Sequence, residues 1–163
     1  MTTAVLSIGS NLGDRLATLQ GAVAHFAEWA RAVSRVYETP PWGPVPQDDY
    51  LNAVLVVTDP DAGPHDWLER AHDAERAAGR TRDVRWGPRT LDVDVVAVDG
   101  VTSDDPELTL PHPRAAERAF VLVPWADADP QARLGGQRVV DLVDALDPAD
   151  VRGVRLVPDA RLR

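Results

Sequence analysis

Apolar positions in the first half of the chain follow two different periods. From Thr2 to Ile8 they alternate in a β-rich run that stops at Gly9-Ser10-Asn11, after which Leu16, Leu19, Val23 and Phe26 recur at the spacing of one helix face. A strand, a tight loop and a helix are predicted there, with Ser10, Asn11 and Asp14 read as cap and first-turn acid. Val33 to Glu38 reads as a second strand, ended by the stiff stretch Thr39-Pro40-Pro41-Trp42-Gly43-Pro44, where prolines bar helix and ladder alike. Tyr50 to Thr58 is the clearest central strand. A turn at Asp59-Pro60-Asp61 leads to a helix from about Pro64 to Ala78, with Trp67, Leu68 and Ala71 facing inward and Gly79 ending it. Thr90 to Val98 is a further strand, followed by the turn Leu110-Pro111-His112-Pro113, short helices over Arg114 to Trp125 and Val139 to Ala145, and a last strand near Val154 to Val157. Two β-α-β passages followed by a mixed tail predict an α+β fold, a mainly antiparallel sheet backed by helices.

Composition narrows this picture. A chain of 163 residues, 44% hydrophobic and 26% charged, is that of a folded protein, expected to form one domain around one core. Without cysteine, any metal must be held by oxygen or imidazole, which points to hard cations such as magnesium. The apolar runs are far short of a membrane span and the N-terminal residues lack a basic region, so a cytoplasmic protein is expected. A monomer is the accompanying expectation, which no sequence feature decides. The net charge of −9 argues against a general nucleic-acid binder, which needs excess positive charge. Within this acidic chain, Arg80, Arg82, Arg85 and Arg89 form a basic island interrupted only by Asp83, and such an island suits an anionic partner.

The island runs directly into two acids. In a strand over Thr90 to Val98 the two-residue period sends Leu91, Val93, Val95 and Ala97 to one face and Asp92, Asp94, Val96 and Val98 to the other. Residues two apart on a strand are separated by roughly 6.5 to 7 Å. Their carboxylates can therefore converge on one magnesium or flank two metals about 3.5 to 4 Å apart. An Asp-Val-Asp of this kind is more often just the wet face of a strand. Aspartate is disfavoured in strands, however, and guanidinium groups beside it suit a triphosphate that needs metal on some oxygens and arginine on others. The residues alone thus point to metal-dependent phosphate transfer. They leave open the acceptor, the group transferred, and a binding module that has kept the fold.

Arg85-Trp86-Gly87-Pro88-Arg89-Thr90-Leu91-Asp92-Val93-Asp94 resembles the signature of the 6-hydroxymethyl-7,8-dihydropterin pyrophosphokinases. Ile8 to Asp14, Thr39-Pro40-Pro41, Tyr50 to Ala53, Gly79 to Arg82, Leu110 to Pro113 and Arg118-Ala119-Phe120 resemble further motifs of that family, in its order, from about Ala4 to Trp125. The resemblance implies a ferredoxin-like three-layer fold, ATP as co-substrate, two magnesium ions, and transfer of the β,γ-pyrophosphoryl unit to the pterin's hydroxymethyl oxygen. It implies Asp92 and Asp94 as ligands of both ions. Arg82, Trp86, Arg89, His112 and Arg118 would line the ATP site with Glu75 and Thr109 beside it, and Arg80 and Arg89 would assist turnover. The pterin site would be Thr39, Pro40, Trp42, Tyr50, Asn52 and Phe120. Of these, Tyr50 and Asn52 also share one strand face by period alone, an aromatic plate beside an amide that both donates and accepts. Phe120 alone reads as a core residue, and His112 as a turn residue made a plausible phosphate donor by Arg114 and Arg118 nearby. Three positions depart from the family pattern: Asp83 and Glu107 stand where basic residues can occur, and Trp42 where a smaller aliphatic is usual.

Overall fold

The computed structural model describes residues 2–41, 44–79 and 90–163. Elements follow in the order β1 (Thr2–Ser10), α1 (Arg15–His25), β2 (Ala30–Val33), β3 (Tyr37–Thr39), β4 (Tyr50–Asp59), α2 (Pro64–Ala77) and β5 (Asp92–Val98). The remainder is β6 (Ser103–Asp105), β7 (Leu108–Leu110), a single 3-10 turn (Ala115–Glu117), α3 (Ala119–Ala128), β8 (Arg133–Leu134), β9 (Gln137–Arg138), α4 (Val139–Ala145), α5 (Pro148–Arg152) and β10 (Arg155–Leu156). The main sheet runs β10-β3-β4-β1-β5, with β2 also paired to β4, and every pairing is antiparallel. Inserting β4 between β1 and the β2/β3 edge is the split β-α-β arrangement of ferredoxin-like folds.

Local chemistry explains the helix boundaries. Asp14 caps α1 by accepting the Ala17 N–H at 3.1 Å, and the Asp66 carboxylate accepts the Gly63 N–H at 2.7 Å just before α2, whose first residue is Pro64. At the other end of α2, Gly79 takes φ +74°, a left-handed conformation that only glycine adopts cheaply.

The sheet divides the core in two, where one was expected. Leu6, Ile8, Leu55, Val93 and Val95 pack against Leu19 of α1, Phe26 just beyond its end, and Trp67 and Ala71 of α2, while Val5, Val54 and Val96 pack against Val121, Leu122 and Trp125 of α3. Helices thus cover both sides, giving three layers. Among the described residues no helix is long and apolar enough to cross a membrane.

Four expectations need correction. The strand expected over Val33 to Glu38 is broken at Ser34–Val36. The Ser34 N–H still donates to the Val54 carbonyl at 2.9 Å, but its hydroxyl takes the Val54 N–H at 2.9 Å and the Arg35 N–H goes to the Asp127 carboxylate at 2.9 Å, so the ladder breaks off there and resumes at Tyr37. The first strand extends two residues past Ile8 to Ser10. Asn11 is not a helix cap: its amide donates to the Gln47 side chain at 2.6 Å and the Asp48 carbonyl at 2.9 Å, tying two loops together. Finally, Ala97 and Val98 exchange faces. The β1/β5 register moves from Leu6↔Val95 to Val5↔Ala97, so Val96 is an extra, bulged residue, and beyond it Val98 joins the α1/α2 core while Ala97 lies against the α3 core.

Candidate functional site

The bulge lies beyond the acids, so Asp92 and Asp94 keep the common face that alternation predicts, both half-buried, while Val93 and Val95 between and after them are buried in the α1/α2 core. Cross-strand register extends this face. Gly9 of β1 pairs with Asp92 on one side and with Asn52 of β4 on the other, which sets Asn52, Gly9 and Asp92 in a row across three adjacent strands, β4, β1 and the edge strand β5. A Cβ on Gly9 would lie 2.9 Å from Asn52 Oδ1 and 3.2 Å from Tyr50 Cδ2. Both side chains therefore lean over the glycine, on the face that carries Asp92 and Asp94. Thr39 completes this corner: its hydroxyl accepts from Asn52 Nδ2 at 2.5 Å, and both residues are buried. Phe120, in the first turn of α3, is half-buried against the core on the same side of the sheet, with the Arg118 guanidinium 5.5 Å from its ring centre.

Around the open edge of β5 the acids border a cleft of about 320 Å3. Leu68, His72 and Glu75 of α2 form one wall, and Pro106 to Thr109 with His112 and Pro113 form the other. Two hydrogen bonds hold these walls to β5. A Glu75 oxygen accepts the Val93 N–H at 3.0 Å, occupying a donor that an edge strand would otherwise leave open, and the His112 N–H donates to the Val96 carbonyl at 2.7 Å. The Thr109 hydroxyl donates to the Asp105 carbonyl at 3.1 Å, so it faces the cleft as an acceptor. Pro40 lies apart from this cleft, in a neighbouring groove shared with Thr39 and Phe120.

Cations gather opposite the acids. Burial first, then the Arg118 guanidinium, hold the His112 imidazole below its ordinary pKa; Asp92 pulls the other way and Arg114 adds to the lowering. His112 is accordingly neutral near pH 7. Its Nδ1 accepts the Arg114 N–H at 3.3 Å, which leaves the proton on Nε2 as a donor. Burial also lowers the pKa of Arg118, against the opposing pull of Asp94, but a guanidinium stays charged. Its Nε is buried and has no hydrogen-bond partner among the described residues. A buried charged donor of this kind is costly unless an anion completes it.

Of the sequence-derived candidates, the structure brings Asp92, Asp94, Glu75, Thr109, His112 and Arg118 together at one end of the sheet and Thr39, Tyr50, Asn52 and Phe120 beside them. Arg80, Arg82, Trp86, Arg89 and Trp42 lie outside the described residues. Sequence reasoning missed Gly9, which it read as the start of a loop. Its signal was available only as an unexplained glycine in an otherwise β-rich run, since such a residue marks close backbone approach.

An acidic pair facing a half-buried guanidinium and a neutral imidazole, on a three-layer α+β scaffold, defines a site whose charges suit an anionic ligand. Comparison with known proteins makes the class specific. Residues 5–130 match the family model described as 7,8-dihydro-6-hydroxymethylpterin-pyrophosphokinase. The chain is 50% identical to the 2-amino-4-hydroxy-6-hydroxymethyldihydropteridine pyrophosphokinase of Mycobacterium bovis, covering 96% of this chain and 90% of that protein. It is 46% identical to the protein of the same name from Methylorubrum extorquens, covering 94% and 99% respectively. Among solved structures, wild-type Plasmodium falciparum HPPK-DHPS superposes with a TM-score of 0.66 at 13% identity, over 88% of this chain. That similarity is one of fold, and this chain spans only 44% of that longer protein. The chain belongs to the 7,8-dihydro-6-hydroxymethylpterin-pyrophosphokinase family.

Proposed function

We propose that this chain transfers the pyrophosphoryl group of ATP to the hydroxymethyl oxygen of 6-hydroxymethyl-7,8-dihydropterin, giving AMP and the pterin diphosphate used in folate biosynthesis. The observation that carries this reading is the row Asn52–Gly9–Asp92, which presents an amide for a heterocycle and an acid for a metal on one face of three adjacent strands.

The donor set fits magnesium. Asp92 and Asp94 offer only oxygen, are half-exposed and share a face, and magnesium is held by one or two carboxylates together with phosphate oxygens and water. In this reading the acids hold two ions. When bound, the ions neutralise charge on the phosphate oxygens.

The chain's own groups do the rest. Arg118 directs its unmatched Nε and its charge at a phosphate oxygen, and His112 donates through Nε2 without adding a second full charge. Tyr50 and Phe120 supply flat faces for the pterin, Asn52, fixed by Thr39, reads its amide-like edge, and Pro40 borders it. Following the family pattern, Arg80, Arg82, Trp86 and Arg89 complete the ATP site. The new bond forms between the hydroxymethyl oxygen and the β-phosphorus as the hydroxyl proton is lost to solvent water, the bond from that phosphorus to the α-phosphate oxygen breaks, and AMP leaves. Holding both substrates in line supplies much of the acceleration, because correct placement converts a bimolecular step into a unimolecular one.

Incubation with ATP, magnesium and the dihydropterin tests this. AMP formed in step with pterin diphosphate is expected; ADP, or free pyrophosphate with an adenylated pterin, would contradict it.

A further inference from the structure

The segment following residue 130 lies outside the family match, yet it closes on the pterin side of the site. Strand β10 pairs with β3, setting Arg155 opposite Glu38 and Leu156 opposite Tyr37, and the Val157 N–H donates to the Val36 carbonyl at 2.9 Å. Just before this strand, α5 and Gly153 flank Pro40: a Cβ on Gly153 would lie 3.7 Å from Pro40 Cδ. A groove of about 290 Å3 has Pro40, Pro41 and Phe120 on one bank and Ala149, Asp150 and Val154 on the other.

Two arginines, 140 positions apart in the numbering, bridge this end of the sheet. Arg155 Nη2 contacts Asp49 Oδ2 at 2.9 Å and Glu38 Oε1 at 3.4 Å, and Arg15 Nη1 contacts Glu38 Oε2 at 2.7 Å and the Asp49 carbonyl at 2.9 Å. Glu38 is the residue before Thr39, and Asp49 is the residue before Tyr50. Glu38 thus lies on the strand side and Asp49 on the loop side of the Thr39↔Tyr50 pair, and the two arginines tie them together across it.

We propose that Arg155, supported by Arg15, is a positioning residue for the pterin: it sets the distance between the strand ends that carry Thr39 and Tyr50, and through them the Asn52 amide. The proposal rests on the assignment of this corner to the pterin. Among the described residues the side chain of Arg155 bonds Asp49 and Glu38, the neighbours of Tyr50 and Thr39 in sequence, and it is 55% exposed. Its effect is therefore confined to placement, and exposed ion pairs are individually weak. A fold-change of about three to five in pterin affinity is the scale such a bridge reaches, with no change for ATP, whose cleft lies at the opposite edge of the sheet.

The test is pterin binding by fluorescence titration and ATP binding by calorimetry on the full chain, for Arg155→Ala, Asp49→Ala, their double variant and Arg155→Lys, with melting temperatures recorded. Both single alanine variants weaken pterin binding by the stated factor, the double variant is no worse than either, Arg155→Lys retains most of the affinity, and ATP binding stays at the wild-type value. Unchanged pterin affinity, equal losses for both ligands, or a lower melting temperature with both affinities intact would overturn the positioning role. Wild-type protein that fails to bind the pterin overturns instead the assignment on which the proposal rests.

Discussion

The two faces of the main sheet are made from the same strands and read from alternate residues, yet they do different work. Toward α1 and α2 the strands present Leu6, Ile8, Leu55, Val93 and Val95, an unbroken aliphatic surface. Toward α3 the same strands present Val5, Val54 and Val96 at one end and Gly9, Asn52, Asp92 and Asp94 at the other. Apolar contact on the second face stops where α3 begins, at Arg118 and Phe120. Parity along a strand thus separates folding from chemistry. A change on the first face should alter stability, and a change at the polar end of the second, at Gly9, Asn52, Asp92 or Asp94, should alter turnover.

The sharpest way to break this comparison is at Asp92 or Asp94. Alanine at either position should reduce kcat by about a hundred- to a thousandfold, the scale seen when a preorganised electrostatic group is removed, and leave the melting temperature close to wild type. A matched change on the other face, Leu55→Ala, removes a fully buried side chain and should cost about 2–5 kcal/mol in denaturant unfolding. The surviving folded protein should retain both KM values. Between these lies Gly9→Ala, whose new methyl meets Asn52 Oδ1 at 2.9 Å and Tyr50 Cδ2 at 3.2 Å and so must displace them. A rise of about tenfold in pterin KM, worth about 1.4 kcal/mol, with ATP KM unchanged, is the expected steady-state result.

The smallest effect concerns His112. Its folded pKa lies below the ordinary 6.5, through burial first and Arg118 second. In the window beneath 6.5 the unfolded chain therefore binds more protons than the folded one, so stability falls as pH drops through that window and is fully present above it. His112→Gln should flatten this part of the stability–pH curve, as followed by denaturant titration across mildly acidic pH.

Much of this was legible in the sequence, for physical reasons that differ by residue. The acid pair could be placed because a two-residue period is rigid over the three residues from Asp92 to Asp94. It failed only past the Val96 bulge, where one inserted residue reverses parity and no local signal announces it. Helices α1 and α2 were readable from their periodic faces and from Gly79. The break at Ser34–Val36 was not, since it depends on Asp127, which reaches Arg35 from 92 residues away. Glu75 had been placed beside the nucleotide by resemblance; that it also occupies the Val93 N–H on the sheet edge is a tertiary fact. The arginine bridge was invisible for the same reason: Arg155 meets Asp49 across 106 residues, and no spacing rule reaches that far.

The central claim is that the α3-side face of the sheet holds a metal-bound nucleotide through Asp92 and Asp94. Calorimetric titration of ATP with and without magnesium, for wild type and for the Asp92→Asn/Asp94→Asn double variant, tests it most directly. The account predicts that magnesium strengthens ATP binding to wild type and that the double variant loses this dependence while still binding the pterin. An equal response to magnesium in both proteins would contradict it.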